Sequence, residues 1–560
     1  MNKKNLPLDR NKRDLLIFLV KTTGAIWLSR FFPISFVSGC STQQTSNQQI
    51  SNQQTSNQQI KVPFELFPQS VASGDVSQNS AIIWTRTNND PSPLVWQVAE
   101  DQNFEKILIQ DVVTPSQDTD FCVKIKVQNL QPGKRYYYRF IKDNLSSPTG
   151  TFKTIPENLD RIKFAFVSCQ DYSNGFYSAW YHLAQEDLDF VVHLGDYIYE
   201  TVGEPTFQYA QMRKIELNEK GVALYLNDYR KLYKIYRSDR YLQMAHEKFP
   251  FYIIWDDHEF ANDSFQVGSP DNGKDVFGGI DQPQRRRDAS RVWWEYMPAD
   301  IFFDPKEEDP KKQIRIYRSF RFGSLAKLIL TDERLYRSPH PCGEGSVGQR
   351  YVALCENIEK TSMLGDEQLD WFLKELSEQE DIIWKVHGNE VCISQMLFGT
   401  NSFLNLDQWD GYAGERRKIL NYISQNKTKV RNYLVVTGDL HTFVAGNLYD
   451  DFQSPKDNVG VEFAGTSITS SNLGSLLRVD EKTLEEIEKK ILDFNKNLVY
   501  FNSHHHGYAT CEITKDEAII EFWRVSSIEE PEVEKTQKFL VKRFRVKQGE
   551  NKIEDITPKT

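Results

Sequence analysis

Five apolar runs in this chain stop in the same way. "LDFVVHLGD", "KFPFYIIWDDHE", "LAKLILTDER", "DIIWKVHGNE" and "NYLVVTGDLHT" each continue for about a strand's length and then end in a cluster of Asp, His, Asn or Glu. Runs with no polar alternation read as strands covered on both faces, the pattern of a mostly parallel sheet flanked by helices. Ahead of them "RIKFAFVSC" is another such run, and "GFYSAWYHLAQED" has the helical spacing Phe176, Trp180, Leu183, Ala184. Strand, helix and strand make a βαβ unit, so an α/β body is expected over residues 157–525. Ligands of open α/β sheets gather outside the carboxyl ends of the strands, so the polar tails are predicted to meet in one crevice.

A different grammar precedes this body. From residue 64 to 156 the segments "SAIIWTRT", "PLVWQVAED", "FCVKIKVQNL" and "KRYYYRFIK" are short runs separated by turn residues. They predict a small antiparallel β-sandwich of fibronectin or Ig-like appearance, with no gathering of titratable groups. Residues 1–40 have a basic start and an apolar run too short, and too interrupted by Lys21, to span a bilayer. They read as an export signal, and Val37-Ser38-Gly39-Cys40 resembles a lipobox whose Cys40 is lipidated; an uncleaved anchor helix is the alternative. Lys12-Arg13 resembles a weakened twin-arginine pair, which leaves the export route open. Residues 41–63 begin with an uncharged Ser/Thr/Asn/Gln repeat that cannot offset its own ordering entropy, as a flexible tether requires. Residues 526–560 form a C-terminal extension that either caps the site or trails from the body.

The formal charge of -10 comes without a basic stripe, so specific nucleic-acid binding is not expected. An acidic excess suits a site that concentrates cations. Seven cysteines in 560 residues are too few for a disulfide scaffold, although Cys342 and Cys355, thirteen positions apart, are candidates for a loop disulfide. Any attachment to a membrane is expected only through the N-terminal lipid, and the residues do not speak to oligomeric state.

The tails supply Cys169, Asp196, Tyr199, Asp256, Asp257, His258, Asn262, Asp439 and His441, with Gly195 and Gly438 directly before two of the carboxylates. Oxygen and imidazole donors on separate strand ends are what a two-metal hydrolase needs. A carboxylate bridges two cations about 3.5–4 Å apart, and the pair clamps the attacking and leaving oxygens of an in-line displacement.

In order and context, "FVSCQ", "HLGDYIYE", "IIWDDHEFANDS" and "VVTGDLHT" resemble the motifs of the PhoD-like phosphatases. The flanking phrases "VASGDVSQNSAIIWTR", "YRSDRYLQMAHEKFP", "LGDEQLDWF", "QWDGYAGERRKIL" and "EFAGTSITSS" fit as well, so the resemblance spans about residues 65–525. It implies a metallophosphoesterase-type α/β sandwich behind the N-terminal sandwich, in an exported enzyme that cleaves phosphate monoesters, and often diesters, with Fe(3+) and Ca(2+). It further implies that Cys169, Asp196 and Tyr199 bind the ferric ion, that Asp196 bridges to calcium, that Asn262 is a calcium ligand, and that Asp439 and His441 complete the metal set. Phenolate and thiolate suit Fe(3+), while calcium prefers the oxygens of Asn and Asp. Asp257 and His258 stand where a catalytic acid or phosphate-orienting group is useful, and Arg334 is a candidate for binding a substrate phosphate oxygen.

Three places depart from that pattern or sit outside it. "TDER" keeps Asp332 and Arg334 but changes the residue between them. His387 replaces an apolar residue and reads as a core histidine or an extra phosphate contact. His504-His505-His506 cannot all face one ion and read as a surface or pocket-rim loop. Tyr197, close to Tyr199, reads as packing. The expected reaction is attack of a metal-activated hydroxide on phosphorus opposite the leaving alkoxide. The alternatives are a phosphodiesterase or phospholipase-type activity from the same site, and a non-catalytic, surface-tethered binding protein.

Overall fold

The computed structural model describes residues 65–559 apart from 204–207, 209–211, 271–278, 345–349, 351–354, 399–401 and 478. Cys40, the export signal and the tether lie outside the described residues.

Two large sheets lie face to face. The first has ten strands, with Arg161–Val167, Phe190–Leu194 and Pro250–Ile254 adjacent and parallel at its centre. The second has seven, with Ala326–Leu330, Trp384–Asn389, Tyr433–Thr437 and Asn458–Ala464 running parallel. Side-chain parity explains the layering, since successive residues of a strand point to opposite faces. Leu328, Leu330, Val386, Leu434 and Val436 pack in one core with Phe164, Phe166, Val192 and Leu194 from the first sheet. Their odd neighbours Ile329, Tyr433 and Val435 face outward to Phe372, Ile419 and Ile423 on the helices Gly365–Ser377 and Ala413–Gln425. Both faces of each central strand are therefore buried, as the unbroken apolar runs require.

The N-terminal segment is joined to the body more closely than a separate sandwich would be. Leu94–Ala99, Ile107–Val113, Arg135–Lys142, Leu145–Ser146 and Gly150–Lys153 make a five-stranded antiparallel sheet that shares one core with Val71, Ala81, Ile83, Val123 and Val127. Val71–Gly74, Ala81–Arg86 and Cys122–Val127, however, continue the ten-stranded sheet, with Val71–Gly74 parallel to Pro250–Ile254. The physical reason is visible in "AIIWTR": every residue of Ala81–Arg86 is buried, and Trp84 reaches across to donate to the Glu295 carbonyl at 2.9 Å.

The C-terminal segment neither caps the site nor trails. Lys538–Lys547 pairs antiparallel with Glu517–Val525, and Ile553–Asp555 adds the last strand of the same sheet. Cys342 and Cys355 form a disulfide. His387 is a core histidine, its ring held between Tyr433 Oη and Thr331 Oγ1, each at 2.7 Å.

Candidate active site

The ends of the central strands of both sheets converge, and the backbone there is bent into a conformation few residues adopt. Cys169, Asp196, Asp439 and His441 all have positive φ, between 53° and 59°, and Gly195 precedes Asp196 at φ 100°. Four non-glycine residues in the left-handed region, all at strand ends, mark strain that the surrounding fold must hold in place. The turns point the side chains inward. Sγ of Cys169, a carboxylate oxygen of Asp196 and a ring nitrogen of His441 lie within 4.8 Å of one another, as do donor atoms of Asp196, Asp257 and His258, and of Asp256, Asp257 and Asp439. Asp196 belongs to the first two groups and Asp257 to the last two, so the three form one continuous cluster.

Neighbouring residues orient these donors. Tyr199 donates from its hydroxyl to Asp196 Oδ2 at 2.9 Å, and its oxygen lies 3.3 Å from His441 Nε2. His441 Nδ1 faces the Ser471 carbonyl at 2.7 Å, which can only accept, so Nδ1 carries the proton and Nε2 presents its lone pair to the cluster. The Ser470 hydroxyl stands 2.6 Å from Tyr199 Oη and 2.9 Å from the Cys169 carbonyl. Glu259 ties two strand ends together, accepting from the backbone N–H of Asp196, Tyr197 and Asp256. Glu200 accepts from the Asn262 N–H at 2.9 Å and meets His258 Nδ1 at 2.7 Å. Tyr197 points away from the cluster, stacking on Tyr233 and bonding His246, so it is a packing residue.

Arg334 is placed differently from the sequence expectation. It is fully buried, and its guanidinium donates to Asp256, to Asp407 at 2.8 Å and to Asp439 at 2.9 Å, with Asp257 at 3.7 Å. All three of its nitrogens are committed to carboxylates, so in this geometry it balances the acidic cluster and does not reach out to a substrate oxygen.

The charge balance favours cations. Burial, then the Asp196 and Asp439 carboxylates, push the Cys169 thiol well above its ordinary range. Burial and Asp196 do the same to the Tyr199 phenol. Burial raises Asp196 and Asp256 strongly and Asp439 to about 6, while it lowers His441 to about 4. Asp257 is the exception, because Arg334 and His258 outweigh the burial that would raise it. His258 is held protonated: Asp257, Asp196 and Glu200 overcome its burial. Asp256 Oδ2 is buried without a hydrogen-bond partner. A thiol, a phenol, an imidazole lone pair and several carboxyls that burial keeps protonated in spite of Arg334 and His258 are a donor set that fits metal ions.

The structure therefore brings together Cys169, Asp196, Tyr199, Asp257, His258, Asp439 and His441, with Asn262 beside them on the Glu200 carboxylate. Sequence reading missed Glu259, Glu200, Asp407 and Ser470. Glu259 and Glu200 were visible as the last letters of "WDDHE" and "GDYIYE". Asp407 and Ser470 lie in irregular loops with no periodic signal.

A two-sheet α/β fold that gathers candidate metal donors at its strand ends has the layout of a metal-dependent enzyme. The model of the family "PhoD-like phosphatase" matches residues 164–522, and that of "PhoD-like phosphatase, N-terminal domain" matches residues 52–156. Alkaline phosphatase D of Bacillus subtilis (strain 168) is 34% identical over 464 residues, covering 80% of this chain and 76% of that one. A solved structure of PhoD matches with a TM-score of 0.78 and 30% identity, over 89% of this chain and 93% of its own. The chain belongs to the PhoD-like phosphatase family and is a phosphoric ester hydrolase.

Proposed function

We propose that this chain is an exported phosphatase that hydrolyses phosphate monoesters, with diesters as further substrates, through a site holding Fe(3+) and Ca(2+) in a metallophosphoesterase-type sandwich. The convergence of Cys169, Asp196, Tyr199 and His441 on one point carries the reading, because a thiol and a phenol among carboxylates suit a ferric ion better than a second alkaline-earth ion. Asp257, Asp439 and Asn262 offer the oxygen set on the calcium side. When bound, the ions supply Lewis acidity toward the phosphoryl oxygens.

The chain's own groups do the rest. His258, protonated and anchored at Nδ1 by Glu200, is the proton donor to the departing alkoxide. Asp257 stays ionised beside it, accepts from its backbone N–H at 3.0 Å and helps keep the ring charged. Arg334 keeps the carboxylate cluster tolerable inside the fold. A non-catalytic binding protein would have no reason to hold four strand-end residues in strained turns around buried donors.

Metal analysis, a visible spectrum and assays on a paired aryl monoester and aryl diester test this together. Iron in the purified protein and a phenolate-to-iron absorption band that disappears in Tyr199→Phe are expected, with hydrolysis of the monoester. A colourless, iron-free, fully active enzyme would sink the assignment.

Export is supported by the Cys342–Cys355 disulfide, a bond that persists in oxidising compartments. Among the described residues no helix is long and apolar enough to cross a membrane. Attachment through a lipid on Cys40 makes Cys40→Ala move from the membrane fraction to the soluble one; unchanged partitioning would remove the anchor.

A further inference from the structure

The three consecutive histidines do not act as one tract. His506 turns toward the active site, its Nε2 3.0 Å from the Ser470 carbonyl. His504 and His505 turn the other way, their rings 4.2 Å apart, toward the first turn of the helix Glu481–Phe494. There a carboxylate oxygen of Glu481 and one ring nitrogen from each histidine lie within 4.8 Å of one another. This group shares no residue with the catalytic cluster.

The surroundings prepare His504 as a ligand. Its Nδ1 lies 3.1 Å from Glu488 Oε1, a carboxylate also fixed by the Ser503 N–H and hydroxyl. With Nδ1–H donating to Glu488, the neutral ring that a metal requires has its lone pair on Nε2, which lies 3.7 Å from Glu481 Oε1. A carboxylate behind the far nitrogen of an imidazole is how metal-binding histidines are commonly oriented. The Asn502 amide nitrogen, 3.4 Å from Nε2, is the competing neighbour, and its own Oδ1 is buried without a partner. His505 Nδ1 is likewise buried without a hydrogen-bond partner. Burial and the nearby His504, Arg524 and His506 all disfavour a charge on the His505 ring. Arg524 opposes a cation here, but Glu481, Glu485 and Glu488 all act on His504 with the opposite sign.

We infer that Glu481, His504 and His505 bind a borderline divalent transition ion of the Zn(2+) type, at a second metal site separate from the catalytic one. Two imidazoles and one carboxylate are a nitrogen-rich set that suits Zn(2+) and does not suit Ca(2+) or Mg(2+), which take oxygen ligands. The Glu481 side chain is 73% exposed, so the ion has a path from solvent and room for a water as its fourth ligand. Such an ion clips the helix to the segment behind the active site. The His505 carbonyl accepts from Thr466 Oγ1 at 2.6 Å, and the loop that follows carries Ser470 and Ser471, which orient Tyr199 and His441.

The test is a Zn(2+) titration of tag-free protein carrying its resident metals, with bound zinc counted after removal of the excess. The wild type should retain one more zinc per chain than His504→Gln/His505→Gln. Equal counts would overturn the site. Because Glu481 is exposed, Glu481→Gln should fold normally and bind this zinc at least about tenfold more weakly. Unchanged affinity in that variant, or displacement of the zinc by excess Ca(2+), would overturn the ligand set. None of these readouts depends on which ions serve catalysis.

Discussion

Arg334 is the residue on which the acidic cluster depends. Its position in "TDER" suggests a phosphate ligand, but the fold encloses it with Asp256, Asp407 and Asp439 as partners. Removing one member of a buried charge set leaves the others uncompensated, which costs roughly 3–5 kcal/mol. Arg334→Ala should therefore lower the thermal midpoint sharply and lose bound metal, with turnover falling as a consequence. A variant as stable and metal-rich as the wild type, changed only by a higher KM, would return Arg334 to substrate binding. The contrast shows what a sequence discloses at this scale. Residue type and strand-end position identify Asp196, Asp439 and His441 as donors, because the chemistry is local. Whether an arginine faces solvent or four carboxylates depends on Asp407, contributed from a loop 73 residues away.

Strand ends, not strands, carry the functional geometry. The apolar runs disclosed the central strands because burial on both faces leaves a pattern in the sequence. The strands added outside the centre were less legible: Val71–Gly74 and Lys538–Lys547 join the large sheet through backbone hydrogen bonds, which leave little trace in side-chain type. At the end of Phe190–Leu194 the constraint is steric. A Cβ on Gly195 would sit 2.4 Å from both Cβ and N of Asp256, and its φ of 100° disfavours any side chain. Gly195→Ala should thus force apart the two strand ends that Glu259 holds together, adding to a conformational cost on the order of 1–3 kcal/mol. Gly203 is the matched control, with φ 81° and nothing within 4 Å of an added Cβ. Gly195→Ala is expected to lose metal and activity while Gly203→Ala retains both. Equal losses would mean that φ strain alone is at work and that the close approach of the strands is immaterial.

Over the whole molecule, the buried acids make stability a function of pH and of bound metal together. In the ion-free fold burial raises Asp439 to about 6, and Asp171 and Glu259 to about 7. Their unfolded values are about 4, so between pH 4 and 7 these groups hold more protons in the folded chain than in the unfolded one and their contribution to stability falls as pH rises. A shift of two to three units is worth roughly 3–4 kcal/mol for one group, less than additive among neighbours. His258, held above its unfolded value, acts in the same direction, because its contribution is complete below about pH 6.5 and is lost as pH rises through its folded value. Asp407 has the opposite sign: Arg334 and Arg337 overcome its burial and hold it well below the usual carboxylate range. Its contribution is complete above about pH 4 and is lost only below that, so it cannot offset the slope between 4 and 7. Metal ions at the cluster take the place of the protons on Asp196, Asp256 and Asp439 and remove that share of the penalty. The buried histidines His193, His387, His441 and His506, lowered to about 3 or 4, act with the opposite sign over the same range, so the expected outcome is a difference: the gap in melting temperature between metal-loaded and chelator-stripped protein should widen from pH 4 to pH 7. Parallel pH profiles for the two forms would show that the cluster is not where the ions bind.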